Sequence, residues 1–152
     1  EIYQCDWSSD VCSSDLTPED SRKLYAKWAA SYEDDFVANQ GYEHPKVIAE
    51  HFNHLVPTIK SVLDVGTGTG LVGKELKKLR PNLLIDGVDI SPEMLAEAKK
   101  KNVYRNLYER DLTKVITDLE SPYDSLICIG IFTHGHLPPT AIGNLKIGRA
   151  HV

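Results

Sequence analysis

Apolar and polar residues alternate along the chain in two spacings, one typical of buried strands and one typical of amphipathic helices. Short apolar runs predict four strands, at residues 62–65, 84–89, 103–108 and 126–132. Between and before them, apolar residues at helical spacing and N-capping signals predict helices that begin at Thr17, Pro45, Leu71 and Ser91. Because strands and helices alternate, the chain is predicted to form an α/β domain with a doubly wound, mostly parallel sheet, preceded by N-terminal helices.

The first predicted strand ends in a turn in which every second residue is glycine. Gly66, Gly68 and Gly70 carry no Cβ, so the backbone there is able to adopt unusual dihedrals and to approach a ligand closely. A helix opens directly after Gly70, and its N-terminal N–H groups would face the same ligand. The turn therefore predicts a ligand site, although many strand–helix turns need a glycine only for tight packing.

Carboxylates accompany the ends of three predicted strands. Asp64 precedes the glycine turn, Asp89 ends the second strand and Asp111 follows the third. Open α/β sheets bind ligands outside the carboxyl ends of their strands, at the point where the strand order reverses. A carboxylate at the position of Asp89 suits the diol of a ribose, and a solvated turn aspartate is the alternative.

Together these motifs resemble the class I S-adenosylmethionine-dependent methyltransferases, whose Rossmann-like fold the chain is then expected to share. The resemblance rests on residues 64–70, on residues 89–95 and on the pair Asp111 and Leu112. Two outer segments, residues 25–32 and 129–136, are similar to the methyltransferase-like family first named from the Williams–Beuren syndrome region. The resemblance covers residues 24–145, which include only the first four strands of such a fold.

The resemblance implies methyl transfer from S-adenosylmethionine to an unidentified acceptor by in-line displacement. Such a reaction is accelerated chiefly by holding the nucleophile and the methyl carbon close and aligned, and it needs a general base only if the acceptor must lose a proton. No catalytic residue is therefore predicted. The implied cofactor-binding residues are Asp64, Gly66, Thr67, Gly68, Gly70, Asp89, Ile90, Met94, Asp111 and Leu112.

Individual roles within this set leave alternatives open. Asp89 would accept hydrogen bonds from the ribose hydroxyls, and Asp64 would reach the amino group of the cofactor, directly or through water, or else tie down the glycine loop. Asp111 would contact the adenine with help from the Leu112 amide, or else serve as the N-cap of a following helix. Met94 would flank the base together with Ile90, or else belong to the ordinary core.

Aromatic and histidine residues at the two edges of the resemblance carry further hypotheses. Tyr25, Trp28 and Tyr32 would fold the first helix over the cofactor as a lid, although an aromatic stripe at helical spacing is usually packing. The loop with Phe132, His134 and His136 would face the substrate, with ordinary loop histidines as the alternative. Two histidines without a third ligand nearby in sequence do not indicate a metal site, so none is predicted.

The two ends of the chain pair with each other through complementary codons. Read backwards, residues 146–152 match residues 10–16, as when Asp10 (GAC) pairs with Val152 (GTC). One step further, Ser9 as TCA pairs with TGA, a stop codon that would follow Val152. The DNA strand that these codons spell resembles a short-read sequencing adapter. Residues 1–16 and 146–152 are therefore expected to be an artefact without a fold.

Residues 17–145 are then expected to form a partial methyltransferase domain. N-terminal helices occupy residues 17–56 and the cofactor-binding half occupies residues 57–145. The fold that the chain resembles continues with further strands and helices. The sequence is therefore expected to be a C-terminally truncated fragment that is inactive by itself.

Charge and cysteine content narrow the expected partners. The formal net charge is −5 at pH 7, or −3 without the two ends. A mildly acidic domain lacks the positive charge with which proteins bind nucleic acid, so no nucleic-acid partner is expected. No stretch approaches a membrane-spanning length, and Cys128 alone lies outside the ends, so no disulfide framework is expected. The expected acceptor is a small molecule, or one that the sequence does not identify. The expected location is intracellular, in the cytoplasm. The sequence indicates no oligomeric state.

Two other functions remain as alternatives. A nicotinamide-dependent oxidoreductase of Rossmann type would also use a glycine-rich turn and an acid after the second strand. The spacing of Gly66, Gly68 and Gly70 differs from the G-x-G-x-x-G of that class, and Asp64 has no counterpart in it. The other alternative is a non-catalytic S-adenosylmethionine-binding module or a truncated inactive product.

Overall fold

The computed structural model of the chain describes residues 17–33, 43–119, 122–131 and 139–144. Within these ranges the predicted alternation of helices and strands is confirmed. In chain order the elements are α1 (Pro18–Trp28), α2 (His44–Leu55), β1 (Ser61–Val65), α3 (Leu71–Leu79), β2 (Leu84–Asp89), α4 (Pro92–Lys100), β3 (Leu107–Glu109) and β4 (Ser125–Cys128), followed by a 3₁₀ segment at Pro139–Asn144.

The four strands form one parallel sheet in the order β3-β2-β1-β4. In this register Val65, the last residue of β1, lies between Val88 of β2 and Cys128 of β4. The strand order therefore reverses at β1, which makes the carboxyl end of β1 the place where such sheets bind ligands. The predicted fold class, α/β with a parallel doubly wound sheet, is confirmed.

Both faces of the central strands are covered. On one face Val62 and Ile85 pack against α2 and α3 through Ala49, Val72 and Leu76. On the other face the apolar side chains come from β1, β2 and the connection between β3 and β4, and the buried ones are Leu63, Val65, Val88, Leu112, Ile116 and Tyr123. No helix in the described part of the chain is long and apolar enough to cross a membrane.

The helix starts follow the capping signals of the sequence. Thr17 caps α1, since its hydroxyl accepts a hydrogen bond from the Asp20 amide (3.2 Å) while the Asp20 carboxylate accepts one from the Thr17 amide (3.1 Å). Ser91 caps α4 by accepting a hydrogen bond from the Met94 amide at 3.2 Å. By contrast, α3 begins after Gly70 without a side-chain cap, so its first N–H groups are not bound by a capping side chain.

Helix α1 ends at Trp28, because the chain turns at residues 29–31 with a 3₁₀-type bond from the Ser31 amide to the Trp28 carbonyl (3.0 Å). Two predicted strand boundaries are wrong. The third strand begins at Leu107 and not at residue 103, since the residues before it bend to meet the Asp86 carboxylate. The fourth strand ends at Cys128, and Gly130 then adopts a φ of +75°, which extended strand backbone does not have.

Candidate functional site

A cavity of about 150 Å³ lies over the carboxyl ends of β1 and β2. Its wall combines the glycine turn after β1, the end of β2, the start of α4, the segment after β3, the loop after β4 and one side of α1. Seven of the ten residues predicted to bind a cofactor line it, and these are Gly66, Gly68, Asp89, Ile90, Met94, Asp111 and Leu112. The site therefore assembles at the reversal of strand order.

The glycine turn is shaped by contacts as well as by backbone conformation. The amides of Gly66 and Thr67 both donate to the carbonyl of Val88, at 2.8 and 3.1 Å, and so tie the turn to β2. A Cβ at Gly66 would collide with the side chain of Ile131. Gly68 has a φ of +53°, and a Cβ there would meet no atom within 4 Å. The middle of the turn thus faces open space, as a backbone that must meet a ligand requires.

Asp89 is held at the cavity wall by two backbone donors. Its Oδ2 accepts a hydrogen bond from the Gly68 amide at 2.8 Å, and its Oδ1 accepts one from the Ser91 amide at 2.9 Å. Burial raises the pKa of Asp89 above its ordinary value, against the effect of these backbone N–H groups. Each carboxylate oxygen has a further lone pair, so the group is positioned and still able to accept a bond from a ligand.

Asp111 forms a turn with the residues that follow it. Its Oδ1 accepts hydrogen bonds from the amide of Thr113 (2.9 Å) and from the Thr113 hydroxyl (2.6 Å), and Lys114 Nζ lies 3.4 Å from Oδ2. Burial raises the pKa of Asp111, but these hydrogen bonds and the lysine outweigh it and leave the pKa below its ordinary value. No α-helix begins between residues 112 and 119, so Asp111 caps a turn and not a helix there.

Asp64, Thr67 and Gly70 lie behind the lining residues. The Asp64 carboxylate is 2 % exposed, and its Oδ2 accepts a hydrogen bond from the Tyr104 hydroxyl at 2.7 Å. Burial, reinforced by the charge of Asp89, raises the pKa of Asp64 to about 7, although the bond from Tyr104 opposes this shift. The Thr67 hydroxyl donates to the Asp64 carbonyl at 2.9 Å. These residues support the glycine turn from below.

Helix α1 and the residues that follow it form one side of the cavity. Tyr25 and Tyr32 line it, while Trp28 packs edge-on against Tyr25 with ring centroids 6.5 Å apart. Two ion pairs connect this part of the chain to the rest of the fold. One joins Arg22 to Glu109 at the end of β3 (3.7 Å), and the other joins Glu33 to Lys101, just after α4. Of the three aromatic residues predicted to form a lid, two thus line the cavity, and Trp28 contacts one of them.

The remaining predicted residues, Phe132, His134 and His136, lie outside the described residues. The residues just before them, from Ile129 to Ile131, line the cavity. Among the residues that the structure describes, no group of three or more histidine, cysteine, aspartate or glutamate side chains is placed to hold a metal ion.

Sequence reasoning missed the residue that contacts the glycine turn from behind, Tyr104. It lies 40 residues from Asp64 in the chain, so no local pattern links the two. A signal was present in Gly73, because a glycine inside a helix costs about 1 kcal/mol relative to alanine and usually marks close packing. A Cβ at Gly73 would indeed collide with the Tyr104 hydroxyl.

Comparison with known proteins agrees with this architecture. Residues 62–145 match the family described as a methyltransferase domain. Over 96 residues the chain is 34 % identical to the malonyl-[acyl-carrier protein] O-methyltransferase of Legionella pneumophila, a match that covers 61 % of the chain and 33 % of that enzyme. The chain thus spans about a third of the length of the curated relatives it matches.

Two solved structures share the fold. DhpI in complex with SAH superposes with a TM-score of 0.55 at 23 % identity, covering 73 % of this chain and 52 % of DhpI. CalS10 from Micromonospora echinaspora, an amino pentose methyltransferase with SAM bound, superposes with a TM-score of 0.52 at 23 % identity, covering 69 % of this chain and 42 % of CalS10. At these identities the likeness shows the fold.

Proposed function

The chain belongs to the methyltransferase domain family, and on that premise we propose that the protein transfers a methyl group from S-adenosylmethionine to an acceptor. One observation carries the proposal. The Gly68 amide and the Asp89 carboxylate are joined at 2.8 Å in the wall of a cavity at the reversal of strand order. A loop backbone and a positioned carboxylate meet there, as recognition of a nucleoside requires.

The residues present fit such a cofactor. Asp89 keeps free lone pairs for the ribose hydroxyls, and Gly68 offers open space where a side chain would stand. The start of α3 has no side-chain cap, so its N-terminal N–H groups suit the carboxylate of an amino acid moiety. Ile90 and Met94 flank the base, while Asp111 and the Leu112 amide meet its polar edge. These assignments are part of the proposal.

Asp64 takes the second of its two expected roles in this proposal. Its carboxylate does not line the cavity and is bonded to Tyr104. It therefore ties down the glycine loop together with Thr67 and does not contact the cofactor directly. Gly66 and Gly70 serve by letting the loop pack closely against Ile131 and Tyr104.

Catalysis requires little more than alignment of two reactants. When bound, S-adenosylmethionine supplies a methyl group on a positively charged sulfur. The chain's own residues hold the reactants in line, and Tyr25, Trp28 and Tyr32 cover the site and exclude water. The hypothesis that Phe132, His134 and His136 face the substrate stays a prediction, since these residues lie outside the described ranges. The acceptor is a small molecule, free or carrier-linked, because the relatives named above are methyltransferases for malonyl-[acyl-carrier protein] and for an amino pentose. The proposed location is intracellular.

Binding of S-adenosylhomocysteine, measured by calorimetry with NAD as competitor, tests the proposal. The Asp89→Ala variant loses a charge-assisted bond to a hydroxyl, so its affinity should fall by about one to two decades. Asp118→Ala, which removes an exposed carboxylate that is paired with Arg110 and does not line the cavity, is the matched control and should bind like the wild type. Binding of NAD in place of S-adenosylhomocysteine would favour the oxidoreductase alternative. Cofactor binding without methyl transfer to any acceptor would favour the non-catalytic one.

A further inference from the structure

Tyr104, in the connection between α4 and β3, lies directly behind the glycine turn. Its hydroxyl donates to Asp64 Oδ2 at 2.7 Å, while its ring packs against the start of α3. A Cβ at Gly70 would lie 2.9 Å from Tyr104 Cε2, and one at Gly73 would collide with the hydroxyl. One side chain thus contacts the residue before the turn, the residue that ends it and the first turn of the helix that follows.

Through Gly70 and Asp64, Tyr104 is connected to the residues that line the cavity. Gly70 ends the turn whose middle residue, Gly68, donates to Asp89. Asp64 precedes the turn, and its carbonyl accepts the Thr67 hydroxyl inside it. A shift of Tyr104 would therefore move both ends of the turn and with them the Gly68 amide that positions Asp89. Tyr104 itself is not among the residues that line the cavity.

Asp64 depends on Tyr104 because its other neighbours do not favour a charge. In the described part of the chain, the ionisable groups that face it are Asp89 at the end of β2, Cys128 at the end of β4 and Tyr104, and none of them is a cation. A buried carboxylate without a counter-charge is stabilised only by hydrogen bonds, and the Tyr104 hydroxyl is the side chain that donates one.

We propose that Tyr104 is a positioning residue of the cofactor site: its hydrogen bond to Asp64 and its packing against Gly70 and Gly73 hold the glycine turn in the arrangement that binds S-adenosylmethionine. This inference rests on the proposed function. It assigns Tyr104 no contact with cofactor or acceptor, and its effect reaches them through Asp64, Gly68 and Asp89.

The chain offers a matched pair of variants to test it. Tyr104→Phe removes the hydroxyl bound to Asp64, and Tyr123→Phe removes a hydroxyl bound to the other fully buried aspartate, Asp86, at 2.6 Å. Both variants should lower the temperature of thermal unfolding. Only Tyr104→Phe should weaken S-adenosylhomocysteine binding, by about three- to tenfold near neutral pH, the equivalent of one hydrogen bond.

The pH dependence of the affinity separates positioning from mere stability. In the wild type the affinity should rise as Asp64 ionises near its pKa of about 7, since a carboxylate favours the ammonium of the ligand. In Tyr104→Phe this rise should move to higher pH, because the hydrogen bond that lowers the Asp64 pKa is lost. Asp64→Asn should abolish the rise. Tyr123→Phe should keep it unchanged.

Each outcome bears on the inference. If the wild type binds S-adenosylhomocysteine and Tyr104→Phe binds it equally well at every pH, the positioning role is wrong while the proposed function stands. The role is also wrong if Tyr123→Phe weakens binding as much, or if the rise persists in Asp64→Asn and so belongs to Asp89. A wild type that does not bind overturns both proposals. Should Tyr104→Phe fail to fold, Asp64→Asn carries the test, with a weaker and pH-independent affinity as the supporting result.

Discussion

Two aspartates on neighbouring strands, Asp64 and Asp86, are equally buried and yet differ in how their charge is met. Asp64 is 2 % exposed and Asp86 is not exposed at all, and each accepts a hydrogen bond from a tyrosine hydroxyl. Asp86 also receives both arms of the Arg105 guanidinium, at 3.0 and 2.7 Å. No cation among the residues that the structure describes faces Asp64, and the charge near it is that of Asp89.

The difference appears in the protonation of the two groups. Burial raises the pKa of Asp86, but the hydrogen bonds from Arg105 and Tyr123 outweigh burial and leave the pKa below its ordinary value. For Asp64 burial prevails and raises the pKa to about 7. Hydrogen bonds to the charged form and a nearby opposite charge are the two effects that lower the pKa of a buried acid, and the described residues give Asp64 only the first.

The positions of the two carboxylates explain why only Asp86 is paired with a cation. Asp86, in the middle of β2, joins this strand to the approach to β3 and, through Tyr123, to the residues before β4. Asp64 lies at the carboxyl end of β1, beside the cavity. A fully paired buried charge holds strands together, whereas a charge left without a counter-ion costs stability and is typical of functional sites.

Removal of the Asp86 carboxylate should have the largest effect. Asp86→Ala leaves the Tyr123 hydroxyl and the Asn106 amide without their acceptor, so the free energy of unfolding should fall by about 3–5 kcal/mol, nearer the lower figure because Arg105 is partly exposed. Chemical denaturation measures it. Asp118→Ala, which breaks an exposed ion pair with Arg110, should change stability by less than about 1 kcal/mol. A loss of similar size in both variants would contradict the assignment.

The pH dependence of stability should distinguish Asp64 from Asp86 by sign. A raised folded-state pKa means that Asp64 stays protonated in the fold after it ionises in the unfolded chain, so it lowers stability as pH rises from about 4 to about 7. Asp86 has a lowered pKa and stabilises the fold above its ordinary pKa of about 4, an effect that is lost as pH falls below that value.

Asparagine variants measure these two contributions. Relative to the wild type, Asp64→Asn should gain stability as pH rises from 4 to 7, by about 3 kcal/mol, because the wild type loses stability over this range with a pKa raised from about 4 to about 7. Asp86→Asn should show the opposite trend, with its largest deficit well above pH 4. Denaturation curves collected at pH 4, 5.5 and 7.5 give both profiles. Parallel profiles for Asp64→Asn and the wild type would contradict the raised pKa.

The smallest expected effect concerns Cys128, at the end of β4. Burial raises the pKa of its thiol to about 12, and the charge of Asp64 adds to the shift. Alkylation by iodoacetamide at pH 8.5 should therefore be slow, and Asp64→Asn should accelerate it by about twofold, as removal of one partly screened charge predicts. Asp86→Asn should leave the rate unchanged. The measurement needs serine at Cys5 and Cys12, and equal rates in both variants would contradict the influence of Asp64.

The sequence by itself predicted most of the fold. Parallel strands that are buried on both faces are recognisable as short apolar runs. Thr17 and Ser91 are preferred N-cap residues and so predict the starts of the helices that they cap. It also predicted where the site assembles, because the carboxyl ends of parallel strands share one edge of a sheet. Most of the residues singled out there, among them Gly68, Asp89 and Asp111, line one cavity, while Asp64, Thr67 and Gly70 lie behind it.

Only the tertiary structure decided what those residues are bonded to. The bond between Gly68 and Asp89, the contact of Tyr104 with Asp64 and the pairing of Asp86 with Arg105 join residues 19 to 40 positions apart, where no local spacing links them. The length of β3 was decided in the same way, since its predicted first residues bend to meet Asp86. The apolar pattern reports which side chains leave water, but the protonation of a buried charge depends on neighbours that packing alone brings together.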